Sequence, residues 1–399
     1  MDIHDEERAI DSATTSLDAT LHRIDSNDTL QEGDLQKKGS TILQQQHTWF
    51  NWTRNQSCKP SRIFHPQSLQ DVVEIIRLAR ALSRKIRCVG GGYSLSSCSL
   101  VEDDGFLVMV KNMNAIFTPT MSEDGVWTVE METGASVKDL DSYLRSFEPP
   151  LTLSSNVVFD SALYGGLLSL GCHGAATLES TLADKVTCVK IVSADGALNI
   201  FTKDKDPVEF AAATINLGLF GIIYSYTIQV EPMFKLQLVD NNPLQSDYFA
   251  SAEIGGPQLK ALVLASEQIE FLYLPFSSRD FSSPANDRVL IRQWHRTNLP
   301  LKPSQKRIAF QRFGQRLMVR LAQNFIYRFM TKFPTTTPYI CYPLFALKPC
   351  DNKVLYVPEA IHHYGGLEAF KVTELEMAFK VDDNFENVID AWNFVMNLV

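Results

Sequence analysis

A fold of mixed helix and strand is what the sequence predicts, and three observations carry it. Ser68 to Ser83 sets Val72, Val73, Ile75, Ile76, Leu78 and Ala79 on the roughly 3.6-residue period of an amphipathic helix. A strand-length apolar run, Ile86-Arg87-Cys88-Val89, follows and ends in three glycines. Farther on, Tyr224 to Val230 alternates like a half-buried strand and is entered from Leu217-Gly218-Leu219-Phe220-Gly221-Ile222-Ile223.

Taken in order, Met1 to Gln46 is polar, acidic and poor in aromatics, the composition of a flexible tail. Gly105 to Ile116, Trp127 to Thr133 and Val186 to Ser193 then read as strands, the last stopped by the turn Ala194-Asp195-Gly196. Ile269 to Leu274 and Glu374 to Val381 are strand-like, and Phe385, Val388, Ile389, Trp392 and Val395 follow a helical period. The expected division is a tail over 1–46, a cofactor-binding domain over 47–232 and a second domain over 233–399. No internal repeat is present.

Two glycine-rich segments point to chemistry. In Val89-Gly90-Gly91-Gly92-Tyr93-Ser94, successive glycines permit positive φ and let backbone N–H groups converge on an anion such as a pyrophosphate. The run serves equally well as a plain turn, and it lacks both the lysine of a P-loop and the spacing of a Rossmann fingerprint. Ser161 to Ala175 reads SALYGGLLSLGCHGA, with Gly165, Gly166, Gly171 and Gly174 interrupting an apolar run. Glycines there suit either a flat ligand lying on bare backbone or a close helix-packing face.

With these motifs, the chain from about Phe50 onward resembles the sugar-1,4-lactone oxidases, within the vanillyl-alcohol-oxidase (PCMH-type) FAD superfamily. Phe50-Asn51-Trp52, Pro60, Phe64-His65-Pro66, the GGGYS loop, the Gly165–Gly174 segment and the Leu217–Ile223 segment stand in the family's order. The resemblance implies an α+β fold: a two-lobed PCMH-type FAD-binding domain followed by a partial α+β substrate domain. It also implies that FAD is held by Gly90, Gly91, Gly92, Tyr93, Ser94, Ser161, Gly165, Gly166, Gly171, His173, Gly174 and Ile223.

Three departures shape the expected chemistry. Tyr93 stands where many relatives carry a histidine bonded covalently to the flavin. A phenol of pKa about 10 is protonated and weakly nucleophilic at neutral pH, so FAD is expected to bind non-covalently. His173 does not replace that link, because it matches a histidine the family carries in addition. Val157 and Val158 fall where oxidases keep a small residue followed by Ser, which tilts the reading from oxidase towards dehydrogenase, or towards an enzyme using flavin on an unusual substrate. The chain also stops before the Glu–Arg pair and the His-Trp-x-Lys element that the family places on the substrate side, so a shortened substrate domain is expected. The remaining candidates for a catalytic base are Glu270, His295, Glu374 and Glu376, with His295 and Glu376 the first choices. The function expected is an FAD-linked oxidoreductase acting on the CH–OH group of a small molecule, sugar-lactone-like or another metabolite. A flavin-binding scaffold without turnover is the alternative, and a membrane-surface protein binding no nucleotide is a third reading.

Composition sets the surroundings. The 399 residues are 45% hydrophobic and 21% charged, with a formal net charge of −9, so there is no basic field to attract nucleic acid. Seven cysteines without CxxC spacing read as reduced thiols rather than a disulfide framework or a zinc site. The N-terminal residues form no apolar h-region, no run of membrane-spanning length occurs, and the sequons at Asn51 and Asn55 are read as chance. The expectation is an intracellular protein, cytoplasmic or peripheral on an intracellular membrane. Peripheral contact is assigned to 302–332, where Lys306, Arg312, Arg316 and Arg320 interleave with Phe310, Phe313, Leu317 and Leu321. The same pattern suits a solvated helix docked by its apolar stripe.

Overall fold

The computed structural model describes residues 47–179, 181–279, 284–303, 326, 328–346, 351–362, 376–378 and 380–397. The tail over 1–46, Glu374 and most of 302–332 lie outside the described residues.

The chain enters through a short hairpin, β1 (Trp49–Phe50) with β2 (Ser57–Cys58). Strand β3 (Arg62–Phe64) runs into helix α1 (Leu69–Ala81), which carries the chain across to β4 (Ile86–Val89). Strand β5 (Phe106–Met109) then inserts between them, parallel to both, in the order β3-β5-β4. Parallel strands require such a crossover. Ser68 starts α1 by accepting the Asp71 N–H at 3.2 Å, and the predicted apolar stripe, Val72 to Leu78, is buried. The strand expected over Gly105–Ile116 is shorter than its apolar run, because Val110–Asn112 turns into a 3₁₀ segment.

A larger antiparallel sheet follows, made of β6 (Thr120–Met121), β7 (Trp127–Glu132), β9 (Val186–Val192), β10 (Leu198–Thr202) and β11 (Ile222–Pro232). Its order is β10-β9-β11-β7-β6, and β8 (Leu151–Thr152) pairs with the end of β11. Helices α2 (Val137–Ser146), α3 (Tyr164–Ser169) and α4 (Pro207–Thr214) connect its strands. Met131, Leu140, Leu144, Leu151, Val189 and Tyr226 are fully buried in one core between this sheet and α2. The strand periodicity read from Tyr224 to Val230 holds, with a register shift at Tyr224.

After Pro232 the chain builds a second antiparallel sheet from β12 (Lys235–Asn241), β13 (Gln268–Leu274), β14 (Arg288–Thr297) and β15 (Asn352–Tyr356), ordered β13-β14-β12-β15. Helix α5 (Ala252–Leu264) packs on it beside α6 (Glu386–Met396), the helix expected from Phe385 to Val395. Trp392 of α6 stacks on Phe249 with centroids 4.0 Å apart. Buried in this sheet, the Arg292 guanidinium donates to both Asp240 carboxylate oxygens at 2.6 and 2.7 Å. The described residues of the strand expected over Glu374–Val381, namely 376–378 and 380–381, form no strand. No described helix is long and apolar enough to cross a membrane.

Candidate functional site

The turn out of β4 is held from behind by the first residues of the domain. Buried Asn51 donates its side-chain amide to the Ser94 carbonyl at 3.0 Å, and the Trp52 N–H donates to the Gly92 carbonyl at 2.8 Å. Gly92 sits at φ +70, a conformation that glycine adopts without strain. With the carbonyls of Gly92 and Ser94 tied back, the N–H groups of Gly90 to Ser94 are left over. Among the described residues none of these five N–H groups donates to a protein acceptor. Consecutive free N–H groups form the concavity in which an anion binds.

That loop lines a cavity of about 900 Å³, near the top of the range of about 300–1,000 Å³ seen for cofactor and ligand sites. The opposite wall comes from the second glycine segment. Gly165 is pressed against the end of β7: a Cβ there would stand 2.7 Å from that of Thr133. Gly166, one residue on, would point a Cβ into open space, with nothing within 4 Å. Val192 at the end of β9, the loop Leu217–Gly221 and Ile222 and Ile223 of β11 close the remaining side. Leu217 and Gly218, both at positive φ, shape that loop.

Tyr93 is fixed rather than free. Its hydroxyl is hydrogen-bonded to Ser161 Oγ at 2.7 Å, and its ring stacks on Phe159 at 6.0 Å and tilts against Trp52 at 5.6 Å. Gly91 lies directly beneath this ring, since a Cβ would come within 2.7 Å of it. Among the described residues, the cavity wall beside Tyr93 therefore carries a phenol engaged with a serine and no imidazole. Cys172, also in the lining, has its thiol pKa pushed up first by burial and then by the charge of Glu376, which keeps it protonated and a poor nucleophile.

The residues singled out in the sequence divide clearly. Gly90, Gly91, Gly92, Tyr93, Ser94, Gly165, Gly166 and Ile223 line the cavity. The Ile223 carbonyl accepts the Thr133 hydroxyl at 3.2 Å. Ser161 lies behind the wall as the partner of Tyr93. Gly171 takes φ +68 just after α3 and packs on Ile215; Gly174 is jammed against Ser155 and the Asn156 carbonyl. Both are packing glycines. His173 is exposed, with Nδ1 on the Gly174 carbonyl at 2.8 Å and Nε2 on Glu376. A carbonyl only accepts, so Nδ1 carries a hydrogen and Nε2 is the nitrogen turned to the carboxylate. The structure thus brings together two residues that the sequence had placed in different roles. His295, by contrast, stands on β14 with Nδ1 on the Ala265 carbonyl at 3.0 Å and does not line the cavity. Glu270 meets Arg292 at 3.4 Å and is occupied there. Sequence reasoning named Asn51 only as part of a motif, without its anchoring role, and missed the cavity-lining Ser99, since a lone Asn or Ser in a polar loop carries no periodic signal.

A parallel and an antiparallel sheet joined by helices, with a glycine-walled cavity between them, define a nucleotide-cofactor domain of α+β type. Residues 60–201 match the family described as FAD binding domain. The chain is 27% identical over 227 residues to L-gulonolactone oxidase of Bos taurus, covering 57% of this chain and 48% of that protein. It is 22% identical to D-arabinono-1,4-lactone oxidase of Candida glabrata, over 87% of this chain and 60% of that one. L-gulono-1,4-lactone dehydrogenase of Mycobacterium tuberculosis is 23% identical over 256 residues, 64% of this chain and 54% of that one. The chain thus spans about half the length of the curated relatives it matches. Among solved structures, a cholesterol oxidase from Brevibacterium sterolicum superposes with a TM-score of 0.56 at 22% identity, covering 66% of this chain and 49% of that one. The shared feature is the fold, α+β as expected.

FAD fits the residues present. The five free N–H groups of Gly90 to Ser94 suit a pyrophosphate, and the bare Cα of Gly166 leaves room that any side chain would fill.

Proposed function

We propose that the protein is an FAD-dependent oxidoreductase that takes hydride from a carbon bearing a hydroxyl on a small molecule, with the flavin held non-covalently. The observation that carries this reading is the union in one cavity of a free N–H nest, an open glycine wall and a tyrosine locked by Ser161. When bound, FAD supplies the hydride acceptor.

The chain's own residues do the rest. Gly90 to Ser94 hold the phosphates, and Gly166 with Leu163 and Ile223 gives the flat apolar wall. Tyr93, Phe159 and Val157 shape the lining at the Tyr93 end and exclude water there. The substrate must give up a hydroxyl proton as its hydride leaves, and the base must stand within hydrogen-bond reach. We assign that role to the Glu376 carboxylate, which is paired with His173 and whose charge reaches the lining residue Cys172, rather than to His295, whose Nδ1 is taken up by the Ala265 carbonyl. The relatives' printed names, lactone oxidases and a lactone dehydrogenase, support a sugar-lactone-like or similarly hydroxylated substrate.

The test begins with the absorption spectrum of the purified protein, where oxidised-flavin bands are expected. Acid precipitation should then leave a yellow supernatant. Flavin fluorescence that stays with the protein band on a denaturing gel would show a covalent bond and overturn the non-covalent part. Rapid mixing of the loaded protein with lactones and polyols should bleach the flavin for at least one of them. Bound flavin that no hydroxylated compound reduces would overturn the oxidoreductase reading.

A further inference from the structure

One stretch of the cavity wall is held by a residue that comes 204 positions later in the chain. Val157 and Phe159 line the cavity, and the Phe159 ring stacks on that of Tyr93. The stretch is pinned at both ends within the first domain. Asn156 Oδ1 accepts the Val157 N–H at 2.9 Å, and the Asp160 carbonyl accepts the Lys138 N–H of α2 at 2.8 Å. Between these points the Val158 carbonyl meets His362 Nδ1 at 3.3 Å, while Nε2 of the same ring meets Asp141 of α2 at 2.9 Å. A carbonyl only accepts, so Nδ1 is the donor of the first contact. His362 closes the short helix Val357–Ile361, which follows β15, and its side chain is only 6% exposed. Arg145, one turn along α2 from Asp141, grips Glu359 of the same helix through two bonds of 2.6 Å. The helix is thereby seated on α2 with a buried imidazole against the wall. Since a peptide unit is planar, fixing the Val158 carbonyl also fixes the bond into Phe159.

We propose that His362 is a positioning residue for the flavin part of the bound cofactor. By holding the Val158 carbonyl it keeps Val157 and Phe159 as a preformed wall, and the second domain so contributes to flavin affinity without lining the cavity. The inference rests on the FAD reading and adds to it a residue outside the matched stretch 60–201. A wall that is ordered beforehand costs the ligand less to bind than one the ligand must order. The phosphates, taken by the Gly90–Ser94 N–H groups, draw no benefit from it, and that contrast separates positioning from general stability.

Flavin-free full-length protein and its His362→Ala, His362→Asn and His362→Gln variants are titrated by calorimetry with FAD and with ADP, which carries the pyrophosphate and no flavin ring. His362→Ala should weaken FAD about fivefold, the loss of one hydrogen bond, and leave ADP unchanged. The Asn amide nitrogen can stand where Nδ1 stands and donate to Val158, so His362→Asn should recover most of the affinity. The Gln amide reaches the Nε2 position beside Asp141 instead, and His362→Gln should behave like His362→Ala. Unchanged FAD affinity in His362→Ala would overturn the proposal, as would FAD and ADP weakened alike, or Asn no better than Gln. If His362→Ala does not fold, the two amide variants decide by the same comparison. Loss of folding in all three would show a structural role and overturn the proposal too. Failure of the unsubstituted protein to bind FAD would overturn the cofactor reading itself, a result distinct from the others.

Discussion

The glycines of this chain look alike on paper and differ in what they allow. Gly91 is beneath the Tyr93 ring, Gly165 against Thr133 and Gly174 against Ser155, so a side chain at any of them strikes protein before it meets a ligand. Replacing Gly91 would disturb the loop by pushing on Tyr93, and lost flavin in such a variant would say little about contact. Gly166 is the better probe, because its Cβ direction opens on the cavity. It lies inside α3, where glycine costs about 0.5–1 kcal/mol relative to alanine. Gly166→Leu should therefore leave the flavin-free protein at least as stable as before while removing most of its flavin. Absorbance per protein and the thermal midpoint of the same sample check both halves. A variant that keeps full flavin content would show that the cofactor does not pass over this residue.

At the scale of elements, periodicity did its work where one face is buried and failed where burial is set by distant partners. Helix α1, β4, β7, β9, β11 and α6 were legible because their apolar residues recur at 3.6 or 2 positions and are bounded by caps and turns. The stretch 374–381 alternates just as well and forms no strand in its described residues, since a strand needs an edge to pair with and sequence does not show edges. The polar interior of the second antiparallel sheet was equally silent. Arg292 and Asp240 carry no pattern in the sequence, and Glu270 stood only as a candidate base, yet the first two are nearly inaccessible and bonded face to face. Removing one member of a buried pair strands the other, at about 3–5 kcal/mol. Asp240→Ala should fall towards the lower end, because Glu270 still reaches Arg292 at 3.4 Å. Urea unfolding measures the loss. A change below about 1 kcal/mol would mean that Arg292 finds water or another partner instead. Flavin stoichiometry should be unchanged in folded material, as no residue of β12 to β15 lines the cavity.

Among the described residues, every one lining the cavity falls between Ile76 and Ile223, and the two sheets that frame it are separate in hydrogen bonding. The glycine motifs made this division readable in advance, because bare backbone is required wherever a flat cofactor passes. The His173–Glu376 contact was not readable, since it joins positions 203 residues apart, one of them in an irregular segment. Physically, the cofactor should act as a third strut, touching the parallel sheet through the β4 loop and the antiparallel sheet through Ile222 and Ile223. A ligand that binds only the folded state stabilises it by mass action, about 2.7 kcal/mol at a hundred times its dissociation constant. Stripping the flavin should therefore lower the thermal midpoint, and adding FAD back should restore it in proportion to the logarithm of its concentration. The effect should also be local. Amide exchange should slow at Gly90 to Ser94, whose N–H groups have no protein acceptor among the described residues, and around Leu217 to Ile223, while β12 to β15 respond only through global unfolding. Exchange that slows equally in all three sheets, or a midpoint indifferent to FAD, would show that the cofactor does not brace the two sheets as the cavity implies.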